Sequence, residues 1–187
     1  MSMTEAMTSR EGMKPGQDLV VAGYAGLDGA SQIAREREAV LLEHFTKQFV
    51  RRCQIPGQNT VFPGAEVFYE AGAADLEPVK DGGIMAALWR LFEEYGLGFE
   101  IELRDIPILQ ETVEVCEIFD LNPYRLRSEG CVILAADNGR DLVRNLNKRG
   151  IDAVVIGKVE PGIKRQILNG DIRSFLDMPK PDELYKI

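Results

Sequence analysis

The hydrophobic and polar positions of this chain fall into short blocks whose period switches between two and nearly four. Asp18–Gly23 (DLVVAG) is β-branched, apolar and bounded by turn residues, which predicts a short, mostly buried strand. Lys14-Pro15-Gly16-Gln17 before it and Gly26-Leu27-Asp28-Gly29 after it read as turns. Ala30–Cys53 carries apolar residues at Ile33, Val40, Leu41, Phe45 and Phe49, close to helical spacing, with Arg35-Glu36-Arg37-Glu38 as a solvated face. Gln54–Pro63 reads as a loop, Ala65–Ala71 as a short helix and Ala73–Val79 as an extended link. Gly83–Tyr95 gives the clearest helix: Ile84, Leu88, Leu91, Phe92 and Tyr95 share one face, and Gly96-Leu97-Gly98 stops it.

The second half alternates in the same way. Phe99–Leu103 (FEIEL) interleaves apolar and acidic residues, the pattern of a half-exposed strand. Pro107 opens a helix over Ile108–Phe119, and Asn122-Pro123 turns the chain. Cys131–Ala136 and Ala153–Lys158 read as buried strands, with a helix over Arg140–Lys148 between them, capped by Asp137 or Asn138 and ended by Gly150. Ile163–Leu168 and Asp171–Leu176 predict a hairpin around Asn169-Gly170. The tail from Pro179 to Ile187 is polar and predicted to lie along the surface. Strands and helices are interspersed with no internal repeat, which predicts one α/β or α+β domain over residues 14–187 behind a disordered segment, 1–13.

Composition narrows the function classes. The chain has 187 residues, enough for one ordinary domain, and carries 22 Lys and Arg against 30 Asp and Glu, a formal charge of −8. An acidic surface is a poor match for phosphate polymers or anionic lipid, so neither nucleic acid nor membrane is an expected partner. No apolar run approaches the roughly 20 residues of a membrane span. Cys53, Cys116 and Cys131 are odd in number and widely spaced, which predicts buried thiols in a reducing cytoplasm and no metal site. His44 is the single histidine. That excludes multi-histidine zinc sites, and any histidine-activated nucleophile would have to use His44 itself, which reads as a surface or packing residue.

Three motifs sit where chemistry is usually placed. Gly23–Gly29 joins a strand to a helix, where glycine lets backbone N–H groups approach an anion; its G-x-x-G-x-x-G spacing matches neither the dinucleotide fingerprint nor a Walker loop, and a plain tight turn is the favoured reading over a phosphate cradle. Asp81-Gly82-Gly83 precedes the clearest helix and, with Lys80, has the makings of a phosphate or carboxylate cradle; alternatively Asp81 is an N-cap and the glycines permit close packing. Arg125 and Arg127 at a strand entrance suit an anion or, on so acidic a chain, pairing with Asp or Glu. The candidate anion site is therefore Lys80, Asp81, Gly82 and Gly83, joined by Gly26, Gly29, Arg125 and Arg127.

In series these segments resemble the C-terminal domain of the AIR (aminoimidazole ribonucleotide) synthase superfamily, closest to its hydrogenase-maturation-like branch. The resemblance rests on Lys14-Pro15-Gly16-Gln17-Asp18-Leu19-Val20-Val21, on Asp81-Gly82-Gly83-Ile84 with Leu97-Gly98-Phe99-Glu100-Ile101, and on Ile106-Pro107-Ile108. Glu117-Ile118-Phe119, Leu121-Asn122-Pro123, Ser128-Glu129-Gly130 and the tail Asp182-Glu183-Leu184-Tyr185 continue it in family order. It implies a three-layer α/β/α domain of partial ferredoxin-like topology. In the family, ATP is bound chiefly by an N-terminal domain with acidic metal ligands that precedes the Lys-Pro-Gly linker, and here the resemblance starts at that linker. The family's His-Asp pair before the glycine loop corresponds to Glu77-Pro78, its Gly-x-His-Gly to Gly26-Leu27-Asp28-Gly29, and its C-terminal cysteine to no residue of Leu184-Tyr185-Lys186-Ile187.

What this implies is a stand-alone C-terminal domain without the ATP-binding half. It would be a non-catalytic small-ligand or protein-interaction module, cytoplasmic, either a homodimer or a complex with an ATP-binding chain. The alternatives are one subunit of a split ATP-dependent synthetase or hydrogenase-maturation-like enzyme, or a fragment of a longer enzyme. No cofactor and no activity are expected of this chain alone; ATP and magnesium enter only with an ATP-binding partner.

Overall fold

The structure is a computed structural model and describes residues 12–55 and 63–187. The strands are β1 (Asp18–Ala22), β2 (Asp75–Pro78), β3 (Gly98–Glu102), β4 (Val132–Ala136), β5 (Ala153–Glu160), β6 (Arg165–Asn169) and β7 (Ile172–Phe175). They form one sheet in the order β2-β4-β1-β5-β3-β6-β7. The helices are α1 (Leu27–Glu36), α2 (Glu38–His44), α3 (Lys47–Gln54), α4 (Ala65–Ala71), α5 (Gly83–Tyr95), α6 (Gln110–Ile118) and α7 (Gly139–Lys148). β1 runs antiparallel between β4 and β5, so β4-α7-β5 is a split β-α-β unit, the ferredoxin-like part of the topology. Every pairing is antiparallel except β3 with β6.

The three layers follow from period-two alternation. Leu19, Val21, Ile133 and Ala135 face one way and pack under Ile84, Leu88, Leu91 and Phe92 of α5. Val20, Ala22, Val132, Leu134 and Ala136 face the other way, against Phe68 of α4 and Leu142 and Leu146 of α7. Both faces of β1 and β4 are therefore buried, which is why their sequences read as continuous apolar runs. A third cluster joins Ile33 of α1, Val50 and Cys53 of α3, Val115 and Cys116 of α6 and Leu126.

Several elements differ from the sequence reading. The helix expected over Ala30–Cys53 is three helices. Arg37 leaves helical geometry, Phe45 is extended, and the Thr46 side chain accepts from the Phe49 N–H at 3.3 Å to start α3. The Ala73–Val79 link contains the edge strand β2. α6 begins three residues after Pro107, because the Pro107 carbonyl accepts from Ala25 N–H (2.9 Å) and holds that stretch against the first turn. β5 is longer than expected and alternates buried with exposed residues. The hairpin turn is Gly170-Asp171, one residue later than expected; only its glycine has positive φ, as a type II′ turn requires. Of the segment expected to be disordered, residues 1–11 lie outside the described residues, while Met13 is buried in the α5-side core. Most of the loop expected over Gln54–Pro63, residues 56–62, also lies outside them. The tail is not wholly superficial: Asp182 and Glu183 are each only 5% exposed.

Candidate functional site

The two glycine turns singled out by the sequence meet on opposite sides of one loop, Pro123–Ser128. Gly26 and Gly82 precede α1 and α5 in left-handed conformations, with φ of 72° and 82°, and no side chain of the cap residue closes either helix. Gly83 also has positive φ, and a Cβ there would lie 2.5 Å from the Tyr124 carbonyl oxygen and 2.7 Å from that of Leu126. A Cβ on Gly26 would approach the Pro123 oxygen to 2.9 Å, and one on Gly29 the Leu126 Cγ to 2.5 Å. Glycine is required at Gly26 and Gly83 because backbone passes too close for any side chain, while at Gly29 the Leu126 side chain fills the space.

The glycine N–H groups at these two helix starts are already engaged. Gly26 N–H donates to Ser128 Oγ at 2.5 Å, and the Ser128 hydroxyl donates to the Leu126 carbonyl at 2.8 Å. Gly29 N–H donates to the Arg127 carbonyl at 3.1 Å and Gly83 N–H to that of Lys80 at 3.1 Å. Gly82 N–H donates to Asp182 Oδ2 at 2.6 Å. The other oxygen of the Asp182 carboxylate accepts from Leu184 N–H at 2.9 Å. Beside it, buried Glu183 accepts from Asn122 N–H (3.1 Å) and Lys186 Nζ (2.6 Å). The tail is thus strapped across the start of α5 by its own carboxylates, and a protein carboxylate holds the place of an external anion.

The charged candidates divide in the same way. Arg127 Nε meets Asp28 Oδ2 at 2.7 Å and its Nη2 meets Glu129 at 2.8 Å. Partial burial works against this guanidinium, but Asp28, Glu129 and Asp81 outweigh it and push its pKa above the ordinary arginine value. Arg125 lies 4.0 Å from Asp177. The side chains of Lys80 and Asp81 are exposed at the rim. Asp81 is not the cap of α5; Gly82 holds that place. Glu77, where the resembling family has histidine, is 2.7 Å from Arg90 Nε, and the next carbonyl, that of Pro78, accepts from Arg90 Nη2.

The structure therefore brings Gly26, Gly29, Gly82, Gly83, Arg125 and Arg127 together around one loop, with Lys80 and Asp81 at its edge. Sequence reasoning missed Asp182. An aspartate before Glu183–Lys186 is a capping signal for that short turn, and Asp182 does cap it, but nothing local reveals its second partner a hundred residues away. The thiols of Cys53, Cys116 and Cys131 are buried, and burial pushes them up to about 11, 12 and 12. His44 is exposed at the end of α2. Among the described residues no cluster of three metal-ligating side chains occurs, and no helix is long and apolar enough to cross a membrane.

Comparison with known proteins finds relatives of the fold. Residues 79–167 match the family described as "AIR synthase related protein, C-terminal domain". The chain is 29% identical over 125 residues to a carbamoyl dehydratase, HypE, of Rhodobacter capsulatus, covering 65% of this chain and 34% of that protein. It is 29% identical over 183 residues to a putative hydrogenase expression/formation protein of Methanocaldococcus jannaschii, covering 94% of this chain and 52% of that one. The fold is that of E. coli HypE, with a TM-score of 0.71 at 19% identity over 95% of this chain and 54% of the other. The chain spans a third to a half of the length of the curated relatives it matches.

Proposed function

We propose that this chain, an AIR-synthase-related C-terminal domain of the hydrogenase-maturation-like branch, is a protein-interaction module with no catalysis on its own residues. The observation that carries this reading is the closure of both glycine turns. The Asp182 carboxylate occupies the Gly82 N–H, Ser128 occupies that of Gly26, and Asp28 is bound to Arg127. The positions at which the family carries histidines are filled by Asp28 and Glu77, each held in an ion pair by arginine. A carboxylate in such a pair has an oxygen committed to a guanidinium and is directed away from proton transfer. An external anion could enter beside Gly82 only by displacing Asp182, so of the two kinds of module the protein-binding one is favoured over the small-ligand one.

The test is a phosphate titration followed by amide NMR shifts. Gly82 and Gly83 stay unmoved at millimolar phosphate under this reading; saturable shifts at both would instead support an anion site with Lys80 as its cation. The half-length match to the relatives favours a second reading, a split enzyme completed by an ATP-binding chain. Magnesium-dependent ATP turnover that appears only when such a chain is added would select it.

A further inference from the structure

The last strand of the sheet is its most exposed edge. β7 pairs with β6 alone among the described strands, and all four of its residues are exposed. Ile172 and Phe175 are 67% and 60% exposed, and Ile163 and Met178 beside them 77% and 72%. A groove of about 570 Å³ lined by Trp89, Ile163, Phe175 and Leu176 adjoins it. Residues 172–178 contain no proline and no lysine, the usual means by which an edge strand is made unattractive to other strands.

We infer that this edge is a homodimer interface, in which β7 of one copy pairs antiparallel with β7 of a second copy about a two-fold axis at Phe175. The occupant is argued from backbone register and charge. Leu176 N–H donates to the Arg165 carbonyl at 2.9 Å, and Gln166 stands opposite Phe175. Alternation along an antiparallel ladder then turns the backbone groups of Ile172, Ser174 and Leu176 toward β6, and those of Arg173 and Phe175 toward the open edge; pairing with a second copy would lengthen the strand past Phe175 to Met178 and turn Asp177 outward in the same way. Only registers that match those outward groups can form. With Phe175 on the axis, Arg173 stands opposite the second copy's Asp177, Phe175 opposite Phe175, Ile172 opposite Met178, and Ser174 opposite Leu176. Each pair shares a face of the sheet, as cross-strand neighbours must. Shifting the axis to Ser174 sets Asp171 against Asp177, and shifting it to Arg173 sets two guanidinium groups face to face. Shifting it to Leu176 sets Phe175 against Asp177, so opposite charges face each other with the axis at Phe175 and in none of these neighbouring registers. Asp177 is available for the pair: its side chain is 71% exposed and its nearest cation, Arg125, is 4.0 Å away.

This inference gives a location to self-association within the interaction-module reading, but it is tested by the mass of the chain alone, whatever its other partners or ATP turnover. Light scattering and sedimentation equilibrium at tens to hundreds of micromolar are expected to show a dimer. Arg173→Asp and Asp177→Arg each place like charges opposite one another twice per dimer, and each is expected to weaken it about tenfold or more. The double variant R173D/D177R restores both ion pairs with the charges exchanged, and is expected to restore the dimer. All these positions are exposed, so the variants keep the parent melting temperature when monomeric. A monomeric parent at hundreds of micromolar, a dimer indifferent to either single change, or a double variant no better than the singles would overturn the assignment.

Discussion

Replacing Asp182 by alanine removes both acceptors that the tail presents to buried N–H groups. The carboxylate is 5% exposed and takes hydrogen bonds from Gly82 N–H at 2.6 Å and Leu184 N–H at 2.9 Å. Hydrogen bonds to a buried charge contribute about 1.5–3 kcal/mol each, and loss of a helix cap costs about 1 kcal/mol. Water can reach part of the vacated space, so the expected loss is about 2–3 kcal/mol, below the sum. For a domain of this length that corresponds to a fall in melting temperature of roughly 5–10 °C. Asp182→Asn keeps one acceptor oxygen and loses the charge, and should cost about 1 kcal/mol. The assay is urea unfolding followed by fluorescence of Trp89, the one tryptophan, which lies on α5, the helix whose cap residue Gly82 donates to Asp182. Amide exchange supplies the local readout: Gly82 N–H should lose protection in the alanine variant first. If Asp182→Ala stays within about 0.5 kcal/mol of the parent, the range of ordinary surface changes, the tail does not close the turn and the argument fails.

Two further outcomes follow from buried and paired groups. The Tyr95 hydroxyl donates to the fully buried carboxylate of Asp75, so Tyr95→Phe should cost about 1.5–3 kcal/mol in the same unfolding assay. Burial, followed by that bond, pushes the phenol up to about 12, so its contribution is complete below about pH 10 and lost as pH rises toward 12; ultraviolet titration should show Tyr95 ionising last. Asp18 has the opposite sign. Burial alone would raise its pKa, but hydrogen bonds from Lys158 (2.7 Å) and Gly139 N–H (2.9 Å) bring it below the ordinary carboxylate value. Its stabilisation is therefore present at neutral pH and lost as pH falls through the acid range, and Asp18→Asn should lower stability at pH 7 and flatten its decline on acidification. An Asp18→Asn curve parallel to the parent's across the acid range would contradict this.

Much of the fold was legible because burial on both faces leaves a strong local signal. β1 and β4 are apolar throughout, and α5 shows an uninterrupted apolar face between glycine punctuation. The long helix over residues 30–53 was misread because apolar spacing carries across the breaks at Arg37 and Phe45; the Thr46 cap, three residues before Phe49, was the signal that marked one of them. β2 has only four residues, ends in proline and holds its place through pairing with β4, a partner far away in sequence. In the candidate site, the glycines were legible as conformational requirements. Whether they face a ligand or their own chain depended on Ser128 and Asp182, which reach them from about a hundred residues away and leave no local pattern.

The central claim is that this chain's own residues close the glycine turns and carry no chemistry by themselves. Its most direct test is magnesium-dependent ATP turnover by the purified chain, measured against a heat-inactivated control. The account predicts no turnover above that control. Turnover that is present in the native chain and abolished by Lys80→Ala or Asp81→Ala, exposed positions whose loss leaves the fold intact, would contradict it.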